Sequence, residues 1–492
     1  MIDNPPSRHP ALAAILSFVF PGLGQAYAGN RRLAAVFALP VLLLILAVLV
    51  AVLTGGRQLM NAFLSASFLT ALIALDLGLM AWRLFSIAQV GLVLPAAPPT
   101  LGPAPSATRR RGGTTLLVAV LLLATVGMHA WAGVVIGQLN ETLGDVFGDS
   151  SGAAGGAGQH GGSGGGPLNR PDYGWDGTQR INFLLLGIDK STTRLHEHLT
   201  DTILAVSVDP VARTAVMVSV PRDTGYLPLP DRSVYPDGIY PNKINALSTE
   251  ASADPARWCP DLPVDAGEIC GLRTLERSIG LYLGIPIHYY ATVDLNGFIE
   301  LIDSVGPLRL CLDGTLDDPT YHHPGETWRE TPRGVLLPAG CSDTYDGRMT
   351  LAYARARKGT LTLPDGTVQQ LNDFMRAERQ QEVLLELRRQ FASLDLIFQL
   401  PSALRAVSAT VATDFPRDKA GDLASLLPLI TGPNIERVVL GLPRFVDPPL
   451  DPLNNYTLIP RRDDIRRTMA RLFGADQLEG WYVASDAPGP DA

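Results

Sequence analysis

Three long apolar segments near the N-terminus constrain this chain more than any other feature of its sequence. Leu33–Leu53 carries no charge, Ala62–Trp82 is interrupted only by Asp76, and Thr114–Gly137 is predominantly apolar. Each is long enough to cross a bilayer as an α-helix, because about 20 residues span the hydrocarbon core. The earlier run Ala11–Phe20 is too short and is followed by Pro-Gly, which predicts an interfacial or re-entrant segment.

Asp76 is the acidic residue within these predicted spans. It could line a polar path between helices, as intramembrane carboxylates often do. Alternatively, it lies near a helix end and is hydrogen-bonded inside the helix bundle. The second interpretation is favoured, because no other charged residue accompanies it in the spans.

Basic residues predict the orientation of the spans. The loop between the first two spans holds only Arg57, whereas the other flanks are richer: Arg8, Arg31, Arg32, Arg83 and Arg109–Arg111. Since cytoplasmic loops carry the excess of Lys and Arg, three spans place the N-terminus in the cytoplasm and everything after Gly137 outside. A fourth span, extended through Tyr27, would move the arginine triplet outside, so three spans fit better.

Composition divides the remainder of the chain. At 492 residues it is too long for one ordinary domain, and its net charge of -8 gives no basic footprint for nucleic acid. The run SSGAAGGAGQHGGSGGGP reads as a flexible tether. The predicted divisions are a membrane module (1–95), a Pro/Arg-rich cytoplasmic loop (96–113), the third span (114–137), a Gly-rich linker (138–178), an outer domain (179–400), its C-terminal part (401–474) and a disordered tail (475–492).

All four cysteines follow the third predicted span. An even number in an oxidising compartment suggests disulfides. Among the three possible connectivities, Cys259–Cys270 with Cys311–Cys341 is favoured, because the first pair would close a short loop in a Pro- and Asp-rich insert. A zinc site is the rival interpretation, but the spacing contains no CxxC and no supporting histidine pattern. Free thiols are the third alternative.

Apolar runs after Arg180 alternate between strand and helix character, which predicts an α/β fold with a mixed sheet flanked by helices. An irregular stretch is expected from Asp313 to Pro338. The predicted strands are Ile181–Ile188, Thr202–Val208, Thr214–Val220, His288–Val293 and Leu308–Leu312, and the predicted helices are Leu272–Leu283, Leu295–Val305, Tyr345–Ala354 and Phe374–Phe391.

Charged residues gather where these elements end. Asp189 and Asp201 flank a connection between strands, and such sheets bind ligands beyond their strand ends. Four further segments carry basic and polar groups: VPRDT (Arg222, Asp223), PNKIN (Lys243, Asn245), YARAR (Arg355, Arg357) and NDFMRAERQQ (Asp373, Arg376, Arg379, Gln380). Each alone is compatible with surface ion pairs or turns. Together they suit a pyrophosphate, because guanidinium groups bind phosphate oxygens and carboxylates hold the Mg²⁺ that bridges them.

Other phosphate and hydrolase chemistries are poorly supported. The sequence contains no GK[ST] P-loop and no GxSxG elbow. His322 and His323 in YHHPGE suggest a metal only weakly, and an exposed loop is the favoured interpretation.

The ordered segments GIDKS, DTILAVSVDP, VPRDT, NKIN, YYATVDLNGFIELIDSVG, YARAR and NDFMRAERQQ resemble the LytR-CpsA-Psr family, from about Ile181 to Phe473. The resemblance implies an extracytoplasmic domain anchored in the cell membrane. It also implies a Mg²⁺-assisted phosphotransferase that moves a glycopolymer from a polyprenyl-pyrophosphate carrier to peptidoglycan or another envelope acceptor. Alternatives are a lipid-pyrophosphate hydrolase and a non-enzymatic polyprenyl-phosphate-binding regulator.

The resemblance also implies roles for individual residues. Asp189 and Asp201 would hold the metal and, with Arg222 and Arg357, form the catalytic set. Pyrophosphate would be bound by Arg222, Lys243, Arg355, Arg357, Arg376, Arg379 and Gln380, supported by Asp223, Asn245 and Asp373. The chain departs from the family pattern in having Lys190, rather than arginine, shortly after Asp189, and in its several membrane spans.

Overall fold

The computed structural model describes most of the chain in two compact units, Met1–Glu141 and Thr142–Ala492. Most of the predicted Gly-rich linker and nearly all of the predicted tail lie outside the described residues. The described residues are 9–54, 62–63, 65–93, 107–147, 175–189, 199–323, 334–391, 411–419, 421–423, 434–449, 456–475 and 478.

The first unit is helical. Its helices are α1 (Pro10–Val19), α2 (Leu23–Tyr27), α3 (Arg31–Thr54), α4 (Ala66–Val93) and α5 (Ala107–Phe147). By length and composition, α3, α4 and α5 each contain a candidate membrane span. This agrees with the three predicted spans, and the 10-residue α1 is too short to cross.

Helix α5 is longer than the sequence predicts. It begins inside the predicted cytoplasmic loop and continues ten residues beyond Gly137, the end of the predicted span. The segment after Gly137 contains no proline and a single glycine before Phe147. Helical hydrogen bonding therefore continues without a breaker.

Polar side chains of the first unit are hydrogen-bonded within it. Asp76 Oδ1 of α4 lies 2.7 Å from His129 Nδ1 of α5, which agrees with the predicted hydrogen bond inside the bundle. The predicted position near a helix end is wrong, because Asp76 lies well inside α4. Gln25 of α2 accepts from Ser17 Oγ of α1 at 3.1 Å and donates to the carbonyl oxygen of Ser86 in α4 at 3.0 Å. These bonds satisfy polar groups that hydrocarbon could not.

The second unit alternates strands and helices. The strands are β1 (Ile181–Asp189), β2 (Leu199–Asp209), β3 (Thr214–Ser219), β4 (Leu227–Pro228), β5 (Ile239–Tyr240), β6 (Tyr289–Asp294), β7 (Leu308–Leu312), β8 (Thr315–Asp318), β9 (Val335–Leu337), β10 (Gly340–Tyr345), β11 (Thr360–Thr362), β12 (Val368–Gln370), β13 (Val411–Thr413), β14 (Ile435–Val439), β15 (Val446–Asp447) and β16 (Ile459–Pro460). The helices are α6 (Ile244–Ala253), α7 (Pro255–Trp258), α8 (Gly267–Leu283), α9 (Leu295–Val305), α10 (Gly347–Arg355), α11 (Asp373–Phe391) and α12 (Arg462–Phe473).

The central sheet has six strands in the order β13-β6-β1-β2-β3-β14. The pairs β1–β6 and β3–β14 are parallel, and β1–β2, β2–β3 and β6–β13 are antiparallel. Helices α6 and α8 share a hydrophobic core with β1–β3. On α11, Gln381 Nε2 donates to Ser219 Oγ of β3 at 2.8 Å. The predicted α/β fold with a mixed, helix-flanked sheet is therefore confirmed.

A second hydrophobic core joins α9, α10 and α11 to β7 and β8. The sequence predicts irregular structure between Asp313 and Pro338, and this prediction is partly wrong, because β8 and β9 lie there and pair with each other. Strands β11 and β12, which follow α10 in the chain, join β8 and β9 in a four-stranded sheet. Its strand order is β12-β11-β8-β9. Short runs such as TLDD carry too little apolar periodicity to be recognised alone.

Both cysteine pairs favoured from the sequence are disulfide-bonded in the structure. Cys259 and Cys270 are buried in the first core, beside α8. Cys311 and Cys341 face each other across β7 and β10. Among the described residues no cysteine is free.

Candidate active site

Asp201 is brought to the site by an irregularity in the β1–β2 pairing. Gly187 pairs with Thr202 and Ile188 pairs with Thr200, so Asp201 has no partner in the register. Such a bulge inserts one residue, bends the strand and changes the direction of a side chain. The backbone of Asp189 ends β1 opposite Leu199, whereas its side chain lies outside the described structure.

Three arginines from distant segments surround Asp201. Arg222 Nη1, from the segment after β3, donates to Asp201 Oδ1 at 2.5 Å. Arg355 Nη2, from the end of α10, lies 3.8 Å from Asp201 Oδ2. Arg376 Nη2, from α11, donates to the carbonyl oxygen of Asp201 at 3.2 Å. The basic residues predicted to bind phosphate therefore meet around one bulged carboxylate.

These residues line an open cavity of about 120 Å³. Its basic side chains outnumber its acidic ones by five to two. The lining residues are Asp201, Arg222, Asp318, Thr320, Tyr321, His322, Arg355, Arg357, Lys358 and Arg376.

Two guanidinium groups of the cavity keep an unused donor. The Nε atoms of Arg222 and Arg376 are buried and have no hydrogen-bond partner among the described residues. A buried donor without a partner costs free energy.

Asp373 completes the ion-pair network at the first turn of α11. It lies 3.5 Å from Arg357 Nη1 and 3.2 Å from Arg376 Nη2. A carboxylate at a helix N-terminus is favoured by the helix dipole. Asp373 therefore holds two of the predicted phosphate-binding arginines in place.

The segment from Arg222 to Asn245 forms a second part of the site. Lys243 Nζ, at the N-terminus of α6, donates to Asp223 Oδ1 at 2.8 Å. The backbone N–H of Asn245 donates to the carbonyl oxygen of Arg222 at 3.3 Å. Asp223 and Asn245 therefore hold the segment that carries Arg222. The pocket lining does not include Lys243.

Arg379 and Gln380, predicted to bind pyrophosphate, lie outside the cavity lining and contact the end of α10. Arg379 Nε donates to the carbonyl oxygen of Tyr353 at 2.8 Å, and its Nη2 donates to that of Ala356. Gln380 Nε2 donates to the carbonyl oxygen of Ala354 at 3.3 Å. Both side chains satisfy carbonyl groups at the C-terminal end of α10, which would otherwise lack partners. They position the YARAR segment and do not line the cavity.

Asp318 is a site residue that the sequence did not indicate. It is 3% exposed, and its Oδ2 accepts from the backbone N–H groups of Arg357 and Lys358, each at 3.0 Å. Gly359 is required for this approach, because a Cβ atom there would lie 1.7 Å from the carbonyl oxygen of Asp317. Asp318 precedes Arg357 by 39 residues, so no local pattern joins them. The Asp-Pro-Thr turn at the end of β8 was the available signal.

Thr320, Tyr321 and His322 also reach the cavity from this turn. Asp318 Oδ1 accepts from both the backbone N–H and the hydroxyl of Thr320. The sequence favoured an exposed loop for His322, and the residue is exposed. It nevertheless lies on the cavity lining, together with the arginines that the sequence predicts to bind phosphate.

The electrostatics distinguish the two central arginines. Burial, the largest influence, lowers the pKa of Arg376. Burial also acts on Arg222, but the carboxylates of Asp201, Asp373 and Asp223 more than offset it and raise its pKa. Burial raises the pKa of Asp223 against the opposing effect of Lys243.

The residues present fit a magnesium ion only when substrate phosphates complete its shell. The described residues contain no cluster of three or more His, Cys, Asp or Glu side chains. Magnesium commonly binds through one or two carboxylates together with water and phosphate oxygens. Asp201 supplies one such carboxylate, and its Oδ2 is too far from Arg355 for a hydrogen bond.

Comparison with known proteins gives a family match over this unit. The model of the LytR_cpsA_psr family matches residues 167–443, which is more than half of the chain. The matched region contains all the cavity-lining residues.

Individual relatives are distant. Regulatory protein MsrR of Staphylococcus aureus is 27% identical over 237 residues, covering 48% of this chain and 57% of MsrR. The polyisoprenyl-teichoic acid–peptidoglycan teichoic acid transferase TagU of Oceanobacillus iheyensis is 28% identical over 239 residues, covering 49% and 60%. The crystal structure of B. subtilis TagV covers 61% of this chain and 98% of its own, with 22% identity and a TM-score of 0.43. The chain thus spans less than two thirds of the length of these two curated relatives.

Proposed function

Because this chain belongs to the LytR_cpsA_psr family, we propose that it is a membrane-anchored phosphotransferase of the cell envelope. Its donor is a glycopolymer linked to a polyprenyl-pyrophosphate carrier, and its acceptor is peptidoglycan or another envelope polymer. The similarity to TagU of Oceanobacillus iheyensis, named as a polyisoprenyl-teichoic acid–peptidoglycan teichoic acid transferase, supports this class of reaction.

The observation that carries the proposal is the composition of the cavity. Five basic side chains and two carboxylates line it, and one of those carboxylates, Asp318, is occupied by backbone N–H groups. The buried Nε atoms of Arg222 and Arg376 supply donors without described partners. A pyrophosphate offers several acceptor oxygens and multiple negative charges, which suit guanidinium groups better than any neutral ligand.

The reaction proceeds by in-line displacement at the phosphorus that carries the glycan. An acceptor hydroxyl oxygen forms a bond to that phosphorus, the bond to the bridging oxygen breaks, and polyprenyl phosphate leaves with the bond electrons. The hydroxyl proton passes to a base at the site, for which Asp189 and Asp201 are the candidates.

The arginines stabilise the charge that develops on the phosphate oxygens, which is the main catalytic contribution in phosphoryl transfer. Arg222, Arg355, Arg357 and Arg376 are assigned to the pyrophosphate. Asp201, with Asp189, is assigned to Mg²⁺, and a carboxylate that binds the ion is a poor base, so the one that accepts the hydroxyl proton would not ligate the ion at that step. The ion, when bound with substrate, would neutralise further phosphate charge.

Membrane anchorage suits a lipid-linked donor. Three candidate spans precede the family-matched region, and the carrier lipid lies in the same bilayer. Tethering raises the effective concentration of the site near the lipid headgroup without additional contacts.

A variant of Arg357 tests the proposal. The full chain, in lipid nanodiscs, is incubated with a polyprenyl-pyrophosphate-linked oligosaccharide, Mg²⁺ and peptidoglycan, and the glycan–peptidoglycan conjugate is measured. We expect Arg357→Ala to lower conjugate formation about 100-fold, the usual effect of removing one transition-state charge donor. Arg389→Ala is the matched control, because Arg389 is 68% exposed on α11 and pairs only with Glu386 among the described ion pairs.

The same assay separates the alternatives. Free phosphate products without conjugate would indicate a lipid-pyrophosphate hydrolase. Binding of the lipid without turnover would indicate a regulatory binding protein. Full conjugate formation by Arg357→Ala would refute the assigned site.

A further inference from the structure

A segment near the C-terminus is joined to the site by backbone hydrogen bonds. The N–H of Leu458 donates to the carbonyl oxygen of Asp223 at 2.8 Å, and the N–H of Gly225 donates to that of Leu458 at 3.0 Å. Thr224 and Leu458 form a parallel bridge. The segment is therefore fixed beside the PRDTG loop, although more than 200 residues separate the two in sequence. It lies beyond residue 443, where the family match ends.

The side chain of Thr457 packs so closely against Gly225 that a side chain at Gly225 would collide with it. A Cβ atom at this position would lie 2.2 Å from Thr457 Cγ2. Tyr456 lies two residues before Leu458, whose backbone N–H donates to the carbonyl oxygen of Asp223.

Tyr456 presents an aromatic ring beside the charged groups of the site. Lys243 Nζ lies 5.7 Å from the ring centroid, within the range of a cation–π contact, and the same ammonium group donates to Asp223. The residue is 45% exposed. Burial first, and then the carboxylates of Asp223 and Asp373, raise the pKa of its hydroxyl. The ring therefore shares Lys243 with Asp223 and is still accessible to a ligand.

The groups around Tyr456 favour one part of the proposed donor and acceptor over another as the ligand of the ring. A prenyl chain packed here would remove water from Lys243 and Asp223 without offering hydrogen bonds, which is unfavourable. A pyranose ring has an apolar C–H face that can stack on an aromatic ring. Its hydroxyl groups can bond to the neighbouring ammonium and carboxylate groups.

We propose that Tyr456 is a stacking platform for a sugar ring beside the pyrophosphate site. This inference rests on the proposed function and extends it to a glycan-binding position. The sugar could belong to the donor or to the acceptor, because both present pyranose rings, and the test distinguishes the two sources.

The test compares two lipids on the full chain in nanodiscs. Polyprenyl-pyrophosphate-linked N-acetylglucosamine carries a sugar ring, and polyprenyl pyrophosphate without sugar is its internal control. For a donor sugar, Tyr456→Ala weakens binding of the sugar-bearing lipid about tenfold, in line with aromatic stacking energies, and leaves the sugar-free lipid unchanged. Tyr456→Phe retains the ring and binds both lipids like the unsubstituted chain.

For an acceptor sugar, Tyr456→Ala leaves both lipids unchanged and raises the KM for peptidoglycan about tenfold. An equal loss for both lipids would overturn the inference, because the ring would then contact the lipid or the diphosphate. Unchanged affinities and an unchanged KM would also overturn it. Failure of the unsubstituted chain to bind either lipid would refute the proposed function itself, and with it this position.

Discussion

At the scale of single residues, the two buried arginines of the cavity differ in how fully their charge is compensated. Arg222 donates directly to Asp201 at 2.5 Å, and neighbouring carboxylates raise its pKa despite burial. Arg376 is 6% exposed and reaches only the carbonyl oxygen of Asp201 and the side chain of Asp373 among its described partners. Burial dominates its environment and lowers its pKa. The charge of Arg376 is thus less fully compensated than that of Arg222.

Asp223 gives a prediction for the pH dependence of stability. Its pKa is raised in the folded chain, mainly by burial, so the folded state holds this proton more tightly than the unfolded state. Stability therefore decreases as pH rises from about 4, the ordinary pKa of aspartate, through the raised pKa of Asp223. We expect Asp223→Asn to remove this decrease, measured as the difference in urea midpoint between variant and unsubstituted chain from pH 4 to 7.

Asp365 provides a control of opposite sign. It is exposed in a turn, and hydrogen bonds from Thr367 lower its pKa. The small contribution of Asp365 to the stability of the folded chain is therefore present above pH 4 and lost as pH falls.

If the stability of Asp223→Asn relative to the unsubstituted chain fell with rising pH, the assigned effect of burial on Asp223 would be contradicted.

At the scale of elements, the end of β8 fixes the loop that follows α10. Asp318 accepts from the backbone N–H groups of Arg357 and Lys358 through one carboxylate oxygen and from Thr320 through the other. Arg379 and Gln380 of α11 bind the carbonyl groups at the end of the same helix. The YARAR arginines are therefore held from both sides of their backbone.

The variant Asp318→Asn tests this arrangement. An amide has one acceptor oxygen where the carboxylate has two, so its NH₂ group would face backbone or hydroxyl donors. We expect a loss of about 1–3 kcal/mol of stability and roughly tenfold lower transfer, because displaced reacting groups lower rates strongly. Asp317→Asn is the matched control, since Asp317 is the exposed neighbour on the same strand. Equal effects of the two variants on conjugate formation would contradict the positioning role.

The membrane helices illustrate a similar long-range pairing. Asp76 on α4 and His129 on α5 are 53 residues apart and form a 2.7 Å contact. Interhelical hydrogen bonds of this kind contribute about 1 kcal/mol in membranes. The pair therefore fixes how two of the candidate spans pack, in a segment where apolar side chains alone distinguish few arrangements.

At the scale of the whole molecule, the proposed function requires the second unit to lie outside the cytoplasm. The excess of arginine before the first span and between the second and third spans predicts this orientation. A C-terminal alkaline phosphatase fusion, which folds only outside the cytoplasm, is expected to be active, and a fusion after Arg111 is expected to be inactive. The reverse pattern would exclude access to an extracytoplasmic acceptor and would refute the proposed function.

Properties that depend on local composition could be predicted from the amino-acid sequence. Membrane spans follow from uninterrupted apolar length, and the α/β fold follows from hydrophobic periods of two and 3.6 residues. The order of short motifs also identified the residue types that meet at the site, including Arg222, Arg355 and Arg376. These signals are readable because each is contained within a few consecutive residues.

Only the tertiary structure decided how distant side chains are used. The β-bulge at Asp201, the support given by Asp318, the structural role of Arg379 and the placement of Tyr456 all depend on contacts between segments far apart in sequence. An arginine in a motif has the same local signal whether it faces a phosphate or a helix end. Which partner it meets is fixed by packing of the sheet, its helices and their loops, and that packing is a property of the whole chain.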